Sequence, residues 1–150
     1  MKKGTILLTS LLTALIMSVP TSANTEIDIN KPVKVRCTCY TSTEGSITAS
    51  GEHVREGIIA GKREWMNKTA ILYDLDMNLI GIYEVKDTGA GMDTDGDGKG
   101  DTIKNGKSID VYRNTLTRCY DWIKEYGDYV YLVIIDAEGW IWSEEEISAI

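Results

Sequence analysis

The stretch TAILYDLDMNLIGIYEV, residues 69–85, decides the fold class of this chain. Two apolar runs, residues 69–73 and 79–85, are rich in aliphatic, β-branched and aromatic side chains, and the polar segment 74–78 separates them. Runs of this length and composition are typical of strands, and a short polar segment between two of them predicts a turn. The centre of the chain is therefore predicted to be a β-hairpin.

Further short strands are predicted on both sides of this hairpin. The upstream run VKVRCTCY (33–40) alternates polar and apolar residues, while downstream the run YVYLVII (129–135) is the most apolar in the chain. Short apolar pieces also occur at 57–61, 108–112 and 140–142. Many short strands with few helices favour a small barrel over a parallel α/β sheet. We expect a mainly β fold, a six-stranded barrel with one or two short helices.

One helix is predicted after residue 113. Asn114 is a suitable N-cap, Leu116, Tyr120 and Ile123 are spaced to share one face, and Gly127 is a suitable end.

The N-terminus has the pattern of an export signal. Two lysines precede an almost uncharged apolar run at 6–19, and Pro20-Thr21-Ser22-Ala23 supplies the small residues of a cleavage site. A membrane anchor is the alternative, but the run is short for a span of about 20 residues. We expect residues 1–23 to be a signal peptide, with no stable membrane span after cleavage and a secreted protein that works outside the membrane.

Composition limits the classes of function. The chain has 150 residues, of which 43% are hydrophobic, and this suits one globular domain. Its formal net charge of -7 argues against nucleic-acid binding, which needs clustered lysine and arginine. Cysteines 37, 39 and 119 suit an oxidising compartment. Because positions 37 and 39 share one strand face, either could pair with Cys119, and we expect one disulfide and one thiol.

Carboxylates supply the chemistry that the sequence offers. Asp87 ends a predicted strand, and Asp110 lies inside the apolar strand Ile109-Asp110-Val111. A carboxylate there is costly to bury unless it is paired or used, and a desolvated one can act as a general acid. The alternatives for Asp110 are an exposed strand face and a hydrogen-bonded brace for a loop.

Two motifs resemble the three-aspartate (3D) domain family. They are DTG at 87–89 and IKNGKSIDVY at 103–112, and upstream the segments YTS (40–42) and TASGE (48–52) are similar to the opening of related barrels. The resemblance covers residues 35–138. It implies a double-psi β-barrel related to the C-terminal part of lytic murein transglycosylase A and to stationary-phase survival proteins.

The resemblance also implies an activity on peptidoglycan glycan strands. In the transglycosylase relatives one aspartate protonates the bond between N-acetylmuramic acid and N-acetylglucosamine, then deprotonates the 6-hydroxyl of the muramyl sugar to give a 1,6-anhydro product. Carried over, Asp110 is that acid and base and Asp87 is its neighbour, while Tyr40, Thr48 and Lys104 are substrate-binding residues. Two nearby carboxylates suit this chemistry, because repulsion keeps one protonated while the other stays charged. We expect a monomer.

One departure from the family leaves a second function open. Gly61 or Lys62 stands where the first of the three aspartates would be. The alternative to a transglycosylase is thus a non-catalytic module on the same barrel that binds cell-wall glycan. A wall enzyme of a phage or mobile element, with the same chemistry, is a third alternative.

The second departure is an insertion at residues 90–102 that predicts a calcium loop. Aspartates two residues apart around glycines can direct oxygens at one hard cation, although no glutamate completes an EF-hand. The predicted ligands are Asp93, Asp95, Asp97 and Asp101, and the alternative is a solvated acidic hairpin. The predicted organisation is a signal peptide at 1–23, a leader at 24–34, the barrel at 35–138, and a C-terminal strand and acidic tail at 139–150.

Overall fold

The structure is a computed structural model, and it describes residues 30–43 and 45–136. The predicted signal peptide, most of the leader and the predicted strand at 140–142 lie outside these residues. The elements, in chain order, are β1 (Val33–Tyr40), β2 (Ile58–Ala60), a 3-10 helix (Arg63–Trp65), β3 (Thr69–Tyr73), β4 (Leu79–Asp87), β5 (Ser108–Tyr112), α1 (Leu116–Tyr126) and β6 (Tyr129–Ile135). The mainly β class with six strands is confirmed.

The strands form one closed sheet in the order β1-β5-β2-β4-β3-β6, with β6 pairing again with β1. The β1–β5 and β2–β4 pairs are parallel, and the other four pairs are antiparallel. The predicted hairpin is the β3–β4 pair. At its turn, Asp74 Oδ1 accepts backbone N–H groups from Asp76 and Asn78 at 2.9 and 2.8 Å.

The core fills the inside of this sheet. Alternate residues of each strand point inward because successive side chains of a strand face opposite sides. In β1, for example, Val35 and Cys37 are buried while Lys34 is exposed. The inward set from the strands includes Val35, Cys37, Ile59, Ala70, Leu72, Tyr83, Val85, Ile109, Val111, Val130, Leu132 and Ile134.

The helix begins one residue later than predicted. Thr115, rather than Asn114, is the N-cap, because its Oγ1 accepts the backbone N–H of Arg118 at 3.2 Å. Gly127 ends the helix, as predicted, with a positive φ of 78°.

Of the three residues predicted to share one face of α1, only Ile123 packs against the core. Leu116 and Tyr120 are 55% and 72% exposed, whereas Cys119 and Trp122 are buried against the sheet and Ile123 is packed beside them. Burial of the large Trp122 ring removes more apolar surface from water than burial of Tyr120 would. The buried face of the helix is therefore displaced by about one residue position from the face that Leu116 and Tyr120 share. Among the residues described here, no helix is both long and apolar enough to cross a membrane.

Candidate functional site

Strand β2 brings the two predicted aspartates to one part of the sheet. Ala60 is the register partner of Asp87 in β4 and also of Asp110 in β5. The aspartates therefore lie on the two strands that flank β2, about two strand spacings or roughly 10 Å apart at the backbone.

A β-bulge allows Asp87 to leave the inward alternation of β4. Val85 faces the core, and strict alternation would direct Asp87 inward as well. The register shifts between Ile59 and Ala60, so that Ile59 pairs with Val85 while Ala60 pairs with Asp87. Bulges of this kind re-aim side chains at the ends of strands.

The Asp87 carboxylate accepts three hydrogen bonds. Oδ1 accepts the backbone N–H groups of Ala49 and Thr88 at 2.9 and 2.8 Å. Oδ2 accepts the hydroxyl of Tyr40 at 3.1 Å. The three donors fix the position and orientation of the carboxylate. The Ala49 contact was not predicted, since a backbone donor has no signature in a side-chain pattern.

Asp110 is held from the neighbouring strand β1. Thr38 is its register partner, and the Thr38 hydroxyl donates a hydrogen bond to Asp110 Oδ1. Gly89 lies close to the same carboxylate, since a β-carbon at Gly89 would be 4.0 Å from Asp110 Oδ2. Sequence reasoning missed Thr38, although its position between Cys37 and Cys39 places it on the outward face of the strand.

Tyr40 is under the influence of both aspartates. Burial raises the pKa of Tyr40 well above its ordinary value, and the Asp87 and Asp110 carboxylates raise it further. The ring of Tyr40 packs edge-on against Tyr112, with centroids 5.4 Å apart. Tyr40 therefore remains a neutral hydrogen-bond donor at physiological pH, as its predicted place in the site requires.

Thr48 contributes to the site indirectly. It is 4% exposed, and its hydroxyl bonds to the Glu52 carbonyl at 3.1 Å and to Ser50 Oγ at 2.9 Å. These bonds close the turn 48–52, whose second residue, Ala49, donates to Asp87. Thr48 thus holds the turn that carries a donor to the carboxylate.

Lys104 lies at a cavity beside the aspartates. The cavity has a volume of about 280 Å³, and its lining is Gly61, Arg63, Glu64, Thr88, Gly89 and Lys104. The Gly61 N–H donates to the Asp87 carbonyl at 3.0 Å, so Gly61 adjoins Asp87. Glu64 supplies a carboxylate to the same cavity and pairs with Lys62 at 3.8 Å.

A second cavity lies between α1 and β4, away from these residues. Its volume is about 440 Å³, and Tyr83, Arg113 and Trp122 are among its lining residues. None of the residues predicted for the site lines it.

The acidic loop brings three of the four predicted metal ligands together. One carboxylate oxygen from each of Asp93, Asp95 and Asp97 lies within 4.8 Å of the others. Hydrogen bonds from the backbone N–H groups of Gly96 and Gly98 hold the pKa of Asp93 below its usual range. Three clustered carboxylates suit part of a calcium shell.

Asp101 lies apart from that cluster. Its Oδ2 accepts the hydroxyl of Thr94 at 2.6 Å, and its backbone N–H donates to the Met92 carbonyl at 2.8 Å. Its Oδ1 is buried with no hydrogen-bond partner among the described residues. Asp101 thus closes the base of the loop.

Comparisons with known proteins do not assign this chain to a family. A scan of the chain against models of protein families finds no match, and a search of curated proteins finds no relative.

Proposed function

We propose that this protein is a secreted lytic transglycosylase that cleaves the bond between N-acetylmuramic acid and N-acetylglucosamine in peptidoglycan. The observation that carries the proposal is the placement of Asp87 and Asp110 as register partners of one residue, Ala60, with Tyr40 between their charges. The motifs around these aspartates resemble the 3D family, and this resemblance supports peptidoglycan as the substrate.

The strand order supports the double-psi barrel that the resemblance implies. Two parallel pairs, β1–β5 and β2–β4, lie on the two sides of the antiparallel β5–β2 pair. This two-fold arrangement of parallel pairs is the one expected of a double-psi topology. Asp110 lies in its central β5–β2 pair, and Asp87 lies in the adjoining strand β4.

In the proposed reaction Asp110 is first an acid and then a base. Its carboxyl proton passes to the glycosidic oxygen as the bond to the anomeric carbon of the muramyl sugar breaks. The resulting carboxylate then takes the proton of the 6-hydroxyl of that sugar as the oxygen attacks the anomeric carbon. The product is a 1,6-anhydro ring, no water is consumed, and Asp110 is protonated again.

The other residues have supporting roles in this proposal. Asp87 is held in place by its three donors and stabilises the positive charge that develops at the anomeric carbon. Tyr40 and Thr38 orient the two carboxylates. The cavity lined by Thr88, Gly89 and Lys104 is the proposed position for the adjoining sugar.

A glycan-binding module is the second candidate. Gly61 carries no carboxylate at the first aspartate position, and a β-carbon there would lie 3.1 Å from the Trp65 ring and 3.3 Å from Val85. This protein therefore has packed hydrophobic side chains where the family has an acid. A barrel that keeps the groove but not the chemistry would bind peptidoglycan without cutting it.

We further propose that the loop at 93–101 binds calcium. The clustered carboxylates of Asp93, Asp95 and Asp97 repel one another unless a cation neutralises them. The loop follows Asp87 by only six residues, so a bound ion would order the chain that leads from Asp87 and Gly89 to Lys104. An extracellular protein meets calcium at concentrations that suit even a weak site.

The test is digestion of purified peptidoglycan in calcium or in chelator, with the soluble products identified by mass spectrometry. We expect anhydro-muropeptides from the wild type and none from Asp110→Asn. Asp121→Asn, which removes a carboxylate from the exposed face of α1, is the matched control and should remain active. Co-sedimentation with the wall in the absence of soluble product would favour the binding module, and the absence of both would overturn the two candidates.

A further inference from the structure

Two cysteines meet where α1 packs on β1. The thiol of Cys119 in α1 is close enough to Cys39 in β1 to raise the pKa of Cys39. The Sγ of Cys119 also lies 3.7 Å from the carbonyl oxygen of Tyr40, the residue that follows Cys39. The helix therefore holds its sulfur directly against the segment that carries Cys39. All three cysteines are thiols in this structure.

Cys37 has different surroundings. It is 0% exposed and belongs to the core cluster, with its Sγ 3.7 Å from the Thr38 carbonyl. A bridge between Cys37 and Cys39 would join positions two apart on one strand and close a very small, strained ring. These positions distinguish the two β1 cysteines, which the sequence alone leaves equivalent.

We propose that Cys39 and Cys119 form the disulfide of this protein and that Cys37 stays a buried thiol. The oxidant is a disulfide, either a small molecule or a thiol oxidoreductase. The Cys39 thiolate attacks it to give a mixed disulfide and releases one thiolate. The Cys119 thiolate then attacks the Cys39 sulfur and releases the second. The protons of the two cysteines pass to the two released thiolates, so the protein loses two hydrogens and two electrons reduce the oxidant.

The bridge would fix the strand that holds both aspartates. Cys39 lies between Thr38, which bonds to Asp110, and Tyr40, which bonds to Asp87. A covalent link from this point to α1 restrains β1 between its two contacts with the site. It also closes a loop from residue 39 to residue 119, and long loops are those whose closure most restricts the unfolded chain.

The bond is structural rather than a rapid switch. The pKa of the Cys39 thiol is raised to about 12, mainly by burial and then by Cys119 and Asp110, while Arg113 opposes the shift. The thiolate that starts exchange is therefore scarce at neutral pH, so oxidation of the folded protein is slow without a catalyst. Formation during folding, before burial is complete, avoids this barrier.

The first test is the cysteine connectivity of the full chain after refolding from the reduced, denatured state in oxidised glutathione, so that the cysteines can react before they are buried. Intact mass should fall by the mass of two hydrogen atoms, with one cysteine alkylated after denaturation. Fragmentation of the linked peptide should join Cys39, not Cys37, to Cys119. Cys37→Ala should keep the bridge, while Cys39→Ser and Cys119→Ser should each lose it.

The second test is thermal unfolding with and without reductant. We expect the midpoint of the wild type and of Cys37→Ala to fall by about 5 °C or more on reduction, and that of Cys39→Ser to stay unchanged. A Cys37–Cys119 link, a link between chains, or three alkylated cysteines in the wild type would overturn the proposal. These readouts do not depend on activity toward peptidoglycan, so they stand apart from the test of the proposed function.

Discussion

The hydroxyl of Tyr40 donates a 3.1 Å hydrogen bond to Oδ2 of Asp87, although two strands separate β1 from β4 in the sheet order. The two strands between them are β5, which carries Asp110, and β2, which carries its register partner Ala60. A single side chain thus links the strand that holds one aspartate to the strand that carries the other. The predictions below test this arrangement and the loop beside it.

Replacement of Asp110 by Asn should reduce the release of anhydro-muropeptides by about 100-fold or more, because Asn has nearly the same shape but cannot transfer the proton. The measurement is the initial rate of product release. Thr38→Val should cause a smaller loss, since it removes only the hydroxyl that orients Asp110. Full activity of Asp110→Asn, with its thermal unfolding unchanged, would exclude Asp110 as the acid.

Replacement of Asp87 by Asn should lower the pKa of Tyr40 toward its ordinary value of about 10. In the wild type, burial raises this pKa and the Asp87 charge raises it further. Neutral Tyr40 therefore stabilises the folded protein below pH about 10, and this contribution is lost as the pH rises above that value. Ultraviolet titration of tyrosinate measures the shift.

The control for this titration is Tyr40→Phe, which should remove the latest ionisation from the curve. Tyr120→Phe, at a side chain that is 72% exposed, should leave the latest ionisation in place. An unchanged late ionisation in Asp87→Asn would contradict the electrostatic contact between Tyr40 and Asp87.

Substitution of Gly91 by Ala should cost about 1–3 kcal/mol of unfolding free energy, more than the same change at Gly96. Both glycines have positive φ, 75° and 81°, so both substitutions incur backbone strain. Only at Gly91 would the new β-carbon overlap Thr102 Oγ1 and come within 2.8 Å of the Ile103 backbone nitrogen. Urea denaturation of the two variants measures the difference, and equal losses would mean that the neighbours of Gly91 move aside at no cost.

Replacement of Asp95 by Asn should weaken calcium binding by about tenfold or more, because it removes one of three clustered carboxylates. Calorimetric titration of the wild type should give a dissociation constant of roughly 10⁻⁴–10⁻³ M, the range of extracellular calcium modules. Asp121→Asn removes the same charge outside the loop and should bind as the wild type does. If calcium produces no heat and does not shift thermal unfolding of the wild type, the loop is a solvated acidic turn.

Local patterns were sufficient for most of the strands. The bounds predicted for β1, β3, β5 and β6 agree with the structure, because alternation or a dense apolar run is a property of the segment itself. Strand β4 extends two residues beyond the prediction, to Asp87, through the bulge. The helix shows the limit of such patterns, since its cap and its buried face depend on the surroundings of Thr115 and Trp122 in the folded protein.

The sequence by itself determined a mainly β chain and singled out Asp87, Asp110 and the acidic loop, because hydrophobic periodicity and residue chemistry are local. Only the tertiary structure decided that Ala60 lies between the aspartates, that Thr38 and the Ala49 N–H hold them, and that Cys39 rather than Cys37 meets Cys119. These relationships join residues far apart in the chain. They depend on strand register, on a bulge and on the rotation of a helix about its axis. Each of these is fixed by the packing of the whole core rather than by any one segment.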